Sequence, residues 1–222
     1  MAIKFFNDPS KLWNLTELLL QGAGVTLSIF FLTLLFAVPL GVLFAQARMS
    51  KHAVLRAPTS LYIYLMRSTP LMLQIMFVYF LLPQILPFKV DRFSAVIFAF
   101  AVNYAAYFAE IYRAGIESIP LGQYEAAEVL GYSKGQTFRR IIFPQMVKRI
   151  LPPVTNEIIT LIKDTSLAFA IGVLEMFTLA KQIASAEKSM IPFVAAAAFY
   201  YIFNAVVAWG MERFERKLSY YR

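Results

Sequence analysis

Long stretches without a charged side chain constrain this sequence more than any other feature. Residues 18–47 contain no Asp, Glu, Lys or Arg, and neither do residues 68–88, 93–109 and 189–211. A helix needs about 20 apolar residues to cross a hydrocarbon layer of about 30 Å, so these stretches predict membrane-spanning helices. The first stretch is too long for the apolar centre of a secretory signal peptide, which has about 7–15 residues.

The spacing of the apolar stretches predicts a single all-α transmembrane domain over residues 1–222. A further apolar segment is interrupted by charges, and including it gives five predicted spans. Pro70 lies near the start of the second span, and Pro152 and Pro153 open the fourth, which predicts kinked helices whose freed carbonyls need donors from neighbouring helices. The predicted spans are 18–46, 60–83, 93–112, 147–174 and 191–213.

The basic residues are divided unequally between the predicted loops. Fourteen of the 21 Lys and Arg residues lie on the side that carries the long 113–147 loop and the C-terminus, and six lie on the opposite side. Loops rich in Lys and Arg stay on the cytoplasmic side of a membrane. We therefore predict a multi-pass protein with its N-terminus outside and its C-terminus in the cytoplasm. This topology explains the net charge of +8 without a nucleic-acid partner.

The composition excludes several kinds of catalytic and metal site. The sequence has no cysteine, so thiolate metal sites and cysteine nucleophiles are ruled out. Its single histidine, His52, lies in a basic loop and cannot form a metal site by itself. There is no HExxH pattern and no pairing of serine with histidine that would support a hydrolase. We predict no catalytic residue and no metal site.

The predicted cytoplasmic loop contains a short helix of its own. Pro120 favours a turn, residues 123–130 are strong helix formers, and Gly131 suits a left-handed C-terminal stop. A second helix is predicted over 134–142, ending at Pro144.

The surface of the short helix is predicted to receive a partner. Glu125 and Glu128 should be exposed, while Ala126 and Ala127 should let the backbone of a partner approach closely.

Four motifs resemble those of one known family. Within the loop, the order Glu-Ala-Ala, Gly, Ile, Pro resembles the EAA loop of ABC-importer permeases, and its residues are Glu125, Ala126, Ala127, Gly131, Ile141 and Pro144. Phe143 stands where the family usually has leucine, which preserves an apolar side chain of similar bulk. Three more motifs resemble the polar amino-acid branch (histidine, glutamine, arginine and cystine permeases): Arg67-Ser68-Thr69-Pro70-Leu71 with Gln74, Ile119-Pro120-x-Gly122-Gln123, and Lys163-Asp164-Thr165-Ser166-Leu167.

The resemblance implies a five-helix type I ABC-importer permease core in a bacterial inner membrane, with a cytoplasmic coupling helix. In that family the permease pairs with a second copy or a relative, sits on two ATPase subunits that bind ATP and Mg, and receives its amino acid from an extracytoplasmic solute-binding protein. The resemblance assigns ATPase docking to Gly122, Gln123, Glu125, Ala126, Ala127, Glu128 and Gly131.

The chain has no phosphate-binding loop for ATP. The pattern GxxxxGK followed by Ser or Thr is missing, and the glycines of 131–135 have the wrong spacing for it. Phosphoryl transfer requires that backbone cradle, its lysine and a magnesium ligand. We therefore predict that this chain is not an ATPase, holds no cofactor, and receives energy through contact with a partner.

Polar residues within the predicted spans are candidates for a translocation path. Ionisable groups at that depth cost roughly 2.5–3.5 kcal/mol and are usually functional. Glu157, Thr160 and Asp164 share one face of the fourth span, and Asn103 and Tyr107 share a face of the third. We predict that these five residues line the path.

Other roles for the polar residues remain open. Asn103 can instead bind a neighbouring helix through a hydrogen bond, and Glu110 can pair with Arg113. Asp164, followed by two hydroxyl residues, can cap a helix that restarts after a break within the membrane. The role of Lys163 also remains open, because it can neutralise a nearby carboxylate.

An ion-gradient-driven secondary transporter is the main alternative, since intramembrane carboxylates also suit ion coupling. Five spans are few for such a protein, no inverted repeat is visible, and the 119–131 loop would have no role. Two intramembrane carboxylates favour a cationic group on the substrate, but cationic and neutral polar amino acids both remain open.

Overall fold

The computed structural model describes residues 9–85 and 89–218, and the regular secondary structure within these ranges is helical. The helices are α1 Pro9–Arg48, α2 Ala53–Ser68, α3 Leu71–Ile85, α4 Arg92–Glu117, α5 Leu121–Val129, α6 Lys134–Ile171, α7 Met176–Glu187 and α8 Ile191–Leu218. Helix α3 includes a π-helical turn at Phe77–Leu81. Helix α6 includes one at Phe138–Ile142 and ends as a 3-10 helix at Thr165–Ile171.

Three of these helices are long and apolar enough to cross a membrane, namely α4, α8 and the Leu12–Arg48 part of α1. Two bent helix pairs, α2 with α3 and α6 with α7, meet the same criterion as broken spans. The described residues thus provide up to five spans, in agreement with the number that the sequence predicts, and the all-α transmembrane architecture is confirmed.

The second predicted span, 60–83, is not one continuous helix, so this prediction was wrong. The chain breaks between α2 and α3 because Pro70 has no N–H to donate and disfavours helical backbone in the residue before it. Pro70 adopts the extended conformation of an N-cap residue, with φ −62° and ψ 130°. In the same turn, Gln74 Nε2 donates to Thr69 Oγ1 at 2.8 Å and to Thr69 O at 3.2 Å.

Helix α6 begins in the loop and continues into the fourth span. The prediction of a separate helix over 134–142 that stops at Pro144 was therefore wrong. The π-helical turn at Phe138–Ile142 ends two residues before Pro144, and its wider backbone relieves the clash between a proline ring and the preceding turn. Pro152 and Pro153 also lie inside α6 and do not open it.

The helix break expected at Asp164 takes a different form. Asp164 makes no capping hydrogen bond, and the chain tightens into a 3-10 helix. Thr165 Oγ1 donates to Ile162 O at 2.6 Å, and Ser166 Oγ donates to Lys163 O at 2.7 Å. The hydroxyls therefore satisfy carbonyls at the end of the preceding turn instead of N–H groups at the start of a new helix. The capping role that the sequence left open for Asp164 is therefore not the one that the structure has.

The chain forms two compact units, and the long helices α1, α4, α6 and α8 contribute residues to both. Unit 1 consists of the described parts of Met1–Leu35, Thr69–Ala101 and Ile159–Val207. Unit 2 consists of Phe36–Ser68, Val102–Ile158 and the described part of Ala208–Arg222.

Unit 1 is organised around a buried carboxylate at the start of α7. Glu175 is fully buried, and its Oε1 accepts hydrogen bonds from the backbone N and the Oγ1 of Thr178, both at 2.7 Å. Its Oε2 accepts from Phe177 N at 2.7 Å and from the hydroxyl of Tyr200 at 3.2 Å. A negative charge is favourable here because the N–H groups of the first helical turn are free to bind it. The apolar residues buried nearby in unit 1 are Leu15, Leu19, Met176, Ala180 and Ala196.

Unit 2 packs α4 closely against its neighbours. The hydroxyl of Tyr62 in α2 donates to Val102 O in α4. A Cβ atom added to Gly115 would lie only 2.1 Å from Cγ2 of Ile150, so α4 and α6 touch where a side chain is missing. Small residues permit such close helix contacts in membranes. The buried residues of the neighbouring α1, α2 and α4 cluster are Ala45, Ile63, Ala106 and Ala109.

Substitution of Gly115 tests this close contact. We expect Gly115→Ala to lower the free energy of unfolding by about 1–3 kcal/mol, because the added methyl group overpacks the contact with Ile150. Gly24→Ala is the matched control: Gly24 is helical, a Cβ there meets nothing within 4 Å, and the change should be neutral or stabilising. Thermal unfolding of the detergent-solubilised protein measures both, and equal stability of the two variants would contradict the predicted contact.

Candidate functional site

The short helix α5 has well-defined ends that its sequence explains. Pro120 precedes its first residue in extended conformation, with φ −58° and ψ 140°. At the other end, Gly131 has φ +78°, the N–H of Gly131 donates to Glu128 O at 2.9 Å, and the N–H of Tyr132 donates to Ala127 O at 3.0 Å. This pair of bonds is a Schellman motif, which satisfies the last carbonyls of the helix. The predicted left-handed stop at Gly131 is confirmed.

Helix α6 begins directly after this stop with a capping box. Ser133 Oγ accepts from Gln136 N at 3.4 Å, and Gln136 Oε1 accepts from Ser133 N at 2.9 Å. The backbone groups at the end of α5 and at the start of α6 are therefore satisfied by local hydrogen bonds.

Contacts within unit 2 hold α5 and the helices on either side of it in place. Ala127 is 1% exposed, so its methyl group packs against the chain itself. Gln145 Nε2 in α6 donates to Gln123 Oε1 in α5 at 3.2 Å. The guanidinium of Arg149 donates to Ser118 O just after the end of α4, where free carbonyls and the helix dipole favour a cation. These contacts join α4, α5 and the first part of α6.

The opposite face of α5 is exposed. As predicted, Glu125 and Glu128 are on this face, together with Ala126. The structure differs for Ala127, which was expected to let a partner approach and is instead buried because it seats α5 on unit 2. The other predicted docking residues Gly122, Gln123 and Gly131 are also exposed.

Three large apolar side chains are exposed beside the predicted docking residues. Leu121 is 70%, Leu130 is 73% and Val129 is 88% exposed. Sequence reasoning named only polar and small residues for this surface and missed these three. It also missed the supporting residues Gln145 and Arg149, which lie far along the chain. The capping box was detectable, because Ser133 and Gln136 have the required spacing.

Asn103 lies beside the break between α2 and α3. It is buried, and its Nδ2 donates to Met66 O at 3.1 Å in unit 2. In a continuous helix that carbonyl would accept from the N–H four residues later, but residue 70 is proline and has none. The amide of Asn103 thus supplies a donor to a carbonyl whose usual helical N–H donor is missing at the break. The alternative role, a hydrogen bond to a neighbouring helix, is the one that the structure bears out.

Tyr107 and Glu157 come together in unit 2. Both line a cavity of about 380 Å³, along with Arg67 and Arg149. Glu110 also lines this cavity, and its carboxylate accepts from Arg113, one helical turn later, which bears out the predicted pair.

Thr160 and Asp164 belong to unit 1. Thr160 is exposed on α6, and Asp164 is half-buried where the helix tightens. The structure therefore assembles two of the five predicted path residues in one cavity of unit 2, assigns Asn103 to the helix break, and leaves two further along α6.

Residues 37–220 match the sequence model of a family described as "Binding-protein-dependent transport system inner membrane component". The chain belongs to this family. Its members are the membrane component of ABC transporters, in which separate subunits hydrolyse ATP.

Individual relatives agree with the family match. The chain is 35% identical to the arginine transport system permease protein ArtQ of Bacillus subtilis (strain 168), over 90% of this chain and 92% of that protein. It is also 35% identical to the glutamine transport system permease protein GlnP of Escherichia coli (strain K12), over 96% of this chain and 98% of that protein. These likenesses span almost the full length of each relative.

Among solved structures, the chain is similar to a subunit in the crystal structure of an amino acid ABC transporter with histidines. The TM-score is 0.86 at 33% identity, and the alignment covers 95% of this chain and 98% of that one. The predicted type I importer-permease fold is confirmed. The alternative of a secondary transporter is not favoured by any of these similarities.

The left-handed stop of α5 can be tested by substitution. We expect Gly131→Ala to loosen the connection to α6, because a Cβ at positive φ costs roughly 1–2 kcal/mol. Hydrogen exchange of the peptide covering 127–133 should become faster. Gly135→Ala is the matched control, since Gly135 lies in the adjacent helix without a positive φ and with free space around it. Unchanged exchange in Gly131→Ala would refute the structural role of this glycine.

Proposed function

We propose that this protein is the permease subunit of an ATP-driven importer of polar amino acids. The observation that carries the proposal is the rigidly seated helix α5 with its exposed face, in a chain that belongs to the permease family. The amino-acid substrate class rests on the names of relatives such as ArtQ and GlnP. An uptake panel of radiolabelled amino acids distinguishes cationic from neutral substrates.

The orientation in the inner membrane follows from the basic residues. The proposal has the N-terminus outside and the C-terminus in the cytoplasm, with α5 on the cytoplasmic side. Supporting this orientation, the segment from Ser133 to Asn156 contains five Lys or Arg residues and no acidic residue.

The proposed assembly contains two ABC ATPase subunits, which bind ATP and Mg. It also contains a second permease, either another copy of this chain or a relative, and an extracytoplasmic solute-binding protein that delivers the amino acid. Membrane lipid surrounds the apolar outer faces of the permeases. Each ATPase would receive one α5.

Coupling would work by movement of α5 as a rigid body. When ATP closes the two ATPase subunits, α5 would move with them through its exposed apolar residues Leu121, Val129 and Leu130. The Schellman stop and the capping box leave little freedom between α5 and α6, so α6 would follow. Arg149 would carry the same movement to the end of α4 through Ser118 O.

The translocation path is proposed to pass Tyr107 and Glu157, whose side chains line one cavity, and to continue along α6 past Thr160 and Asp164. A carboxylate such as that of Glu157 can bind the ammonium group or a basic side chain of the substrate. Asn103 would contribute indirectly, by holding the end of α2 at the helix break.

The docking surface can be tested at its most exposed apolar residue. We expect Val129→Asp to weaken co-purification of the ATPase by about tenfold or more, because a charge replaces an apolar anchor in the contact. Val129→Ile keeps the apolar character and should retain the ATPase. Pull-down of the ATPase with tagged permease measures both variants. If neither variant changes the yield, α5 is not the docking element.

The charge of Glu157 should influence substrate choice. In proteoliposomes containing the whole transporter, we expect Glu157→Gln to reduce uptake of cationic amino acids by about tenfold, since a charge-assisted hydrogen bond contributes about 1.5–3 kcal/mol. Uptake of neutral amino acids should fall less. Glu157→Asp keeps the charge and serves as the control. A uniform loss across a radiolabelled panel would speak against a role in selectivity.

A further inference from the structure

A second cavity of unit 2 contains two arginines that the mechanism above does not use. It has a volume of about 400 Å³. Arg48, the last residue of α1, and Arg67, near the end of α2, both line it. Tyr107 and Glu110 contribute from α4, and Ser60 contributes from α2.

Both guanidinium groups are held by neutral partners. Arg48 Nη1 donates to Ser60 Oγ at 2.6 Å, and Arg67 Cζ lies 5.4 Å from the centroid of the Tyr107 ring. Within residues 9–85 and 89–218, neither arginine takes part in an ion pair. Two cations that line one cavity repel each other and attract an anionic ligand.

The nearest carboxylate is already engaged. Glu110 accepts two hydrogen bonds from Arg113, and Arg113 also donates to Glu117 on the next helical turn. Counting these three groups with Arg48 and Arg67 gives three guanidinium groups against two carboxylates, and the lining of the cavity itself has two guanidinium groups against one carboxylate. Glu110 nevertheless faces the cavity and can meet an ammonium group there.

We propose that Arg48 and Arg67 form an oxyanion-binding site in this cavity. Guanidinium groups bind carboxylates and phosphates through charge-assisted hydrogen bonds, and two of them can hold both oxygens of one ligand. The adjoining cavity, which contains Glu157, shares Arg67, Tyr107 and Glu110 with this one. The pair of cavities thus presents both guanidinium groups and carboxylates to a ligand.

The ligand that this arrangement fits is a zwitterion. In an amino-acid importer its carboxylate would come from the amino acid on the cytoplasmic side, an assignment that rests on the proposed function. Inorganic phosphate and the phosphate of an anionic lipid share the same oxyanion chemistry. The site itself depends only on the two arginines.

Protection from chemical modification tests the site in the intact transporter. The complex, in nanodiscs of phosphatidylcholine, is treated with phenylglyoxal, which modifies accessible guanidinium groups, and each arginine is quantified by mass spectrometry. The probes, added separately, are the amino acid most strongly transported in the uptake panel, its decarboxylated amine, and inorganic phosphate; a further arm uses nanodiscs containing phosphatidylglycerol. Arg56 is the internal control, because it is exposed on α2 and lines neither cavity.

We expect an oxyanion at about four times its Kd to slow modification of Arg48 and Arg67 about fivefold and to leave Arg56 unchanged. Protection by the amino acid but not by its amine identifies the substrate carboxylate as the ligand. Protection by phosphate or phosphatidylglycerol alone supports the oxyanion site and overturns the assignment to the substrate. If no probe protects these two arginines more than Arg56, the site does not exist.

Two variants separate this inference from the proposed function. Arg67→Gln should abolish protection of Arg48, whereas Arg56→Gln should leave it intact, and both are exposed positions at which folding should be preserved. If no amino acid is transported and no ATPase co-purifies, the importer assignment fails, yet phosphate protection of Arg48 and Arg67 would still establish the oxyanion site.

Discussion

The requirement that every backbone polar group in a membrane be satisfied from within the protein governs this structure. Pro70 removes the N–H that would bind Met66 O, and the amide of Asn103 supplies a donor to that carbonyl. Glu175 performs the reverse task in unit 1, because its carboxylate binds the free N–H groups at the start of α7. Helix breaks in this chain therefore persist because polar side chains satisfy the backbone groups that the breaks expose.

The same requirement is met in the loop that contains α5. The left-handed Gly131 completes the hydrogen bonds of α5, and the Ser133 capping box opens α6 immediately afterwards. The backbone groups at this junction are therefore satisfied locally. The exposed surface of α5 combines apolar side chains with carboxylates, a mixture suited to a specific protein contact, in which apolar anchors contribute most of the affinity.

The charged groups of unit 2 differ in the partners that they contact. Arg113 pairs with both Glu110 and Glu117 along one face of α4, as residues three or four apart on a helix do. Arg149 donates to Ser118 O just after the end of α4. Arg48 donates to the hydroxyl of Ser60, and Arg67 lies over the ring of Tyr107. The latter two are thus the cations best suited to a mobile ligand.

The number of spans, the short helix of the loop and the stop at Gly131 were determined by the sequence, because uncharged stretches, prolines and glycines act through local physics. The motifs of the EAA loop likewise identified the family. The sequence could not show that α6 continues past Pro144, since a π-helical turn relieves the clash, or that Ala127 faces inward. Only the packed structure showed the hydrogen bond of Asn103, because its donor and Met66 O lie 37 residues apart in the chain. Arg48 and Arg67 line the same cavity because the ends of α1 and α2 lie close together, and no local sequence pattern predicts this arrangement.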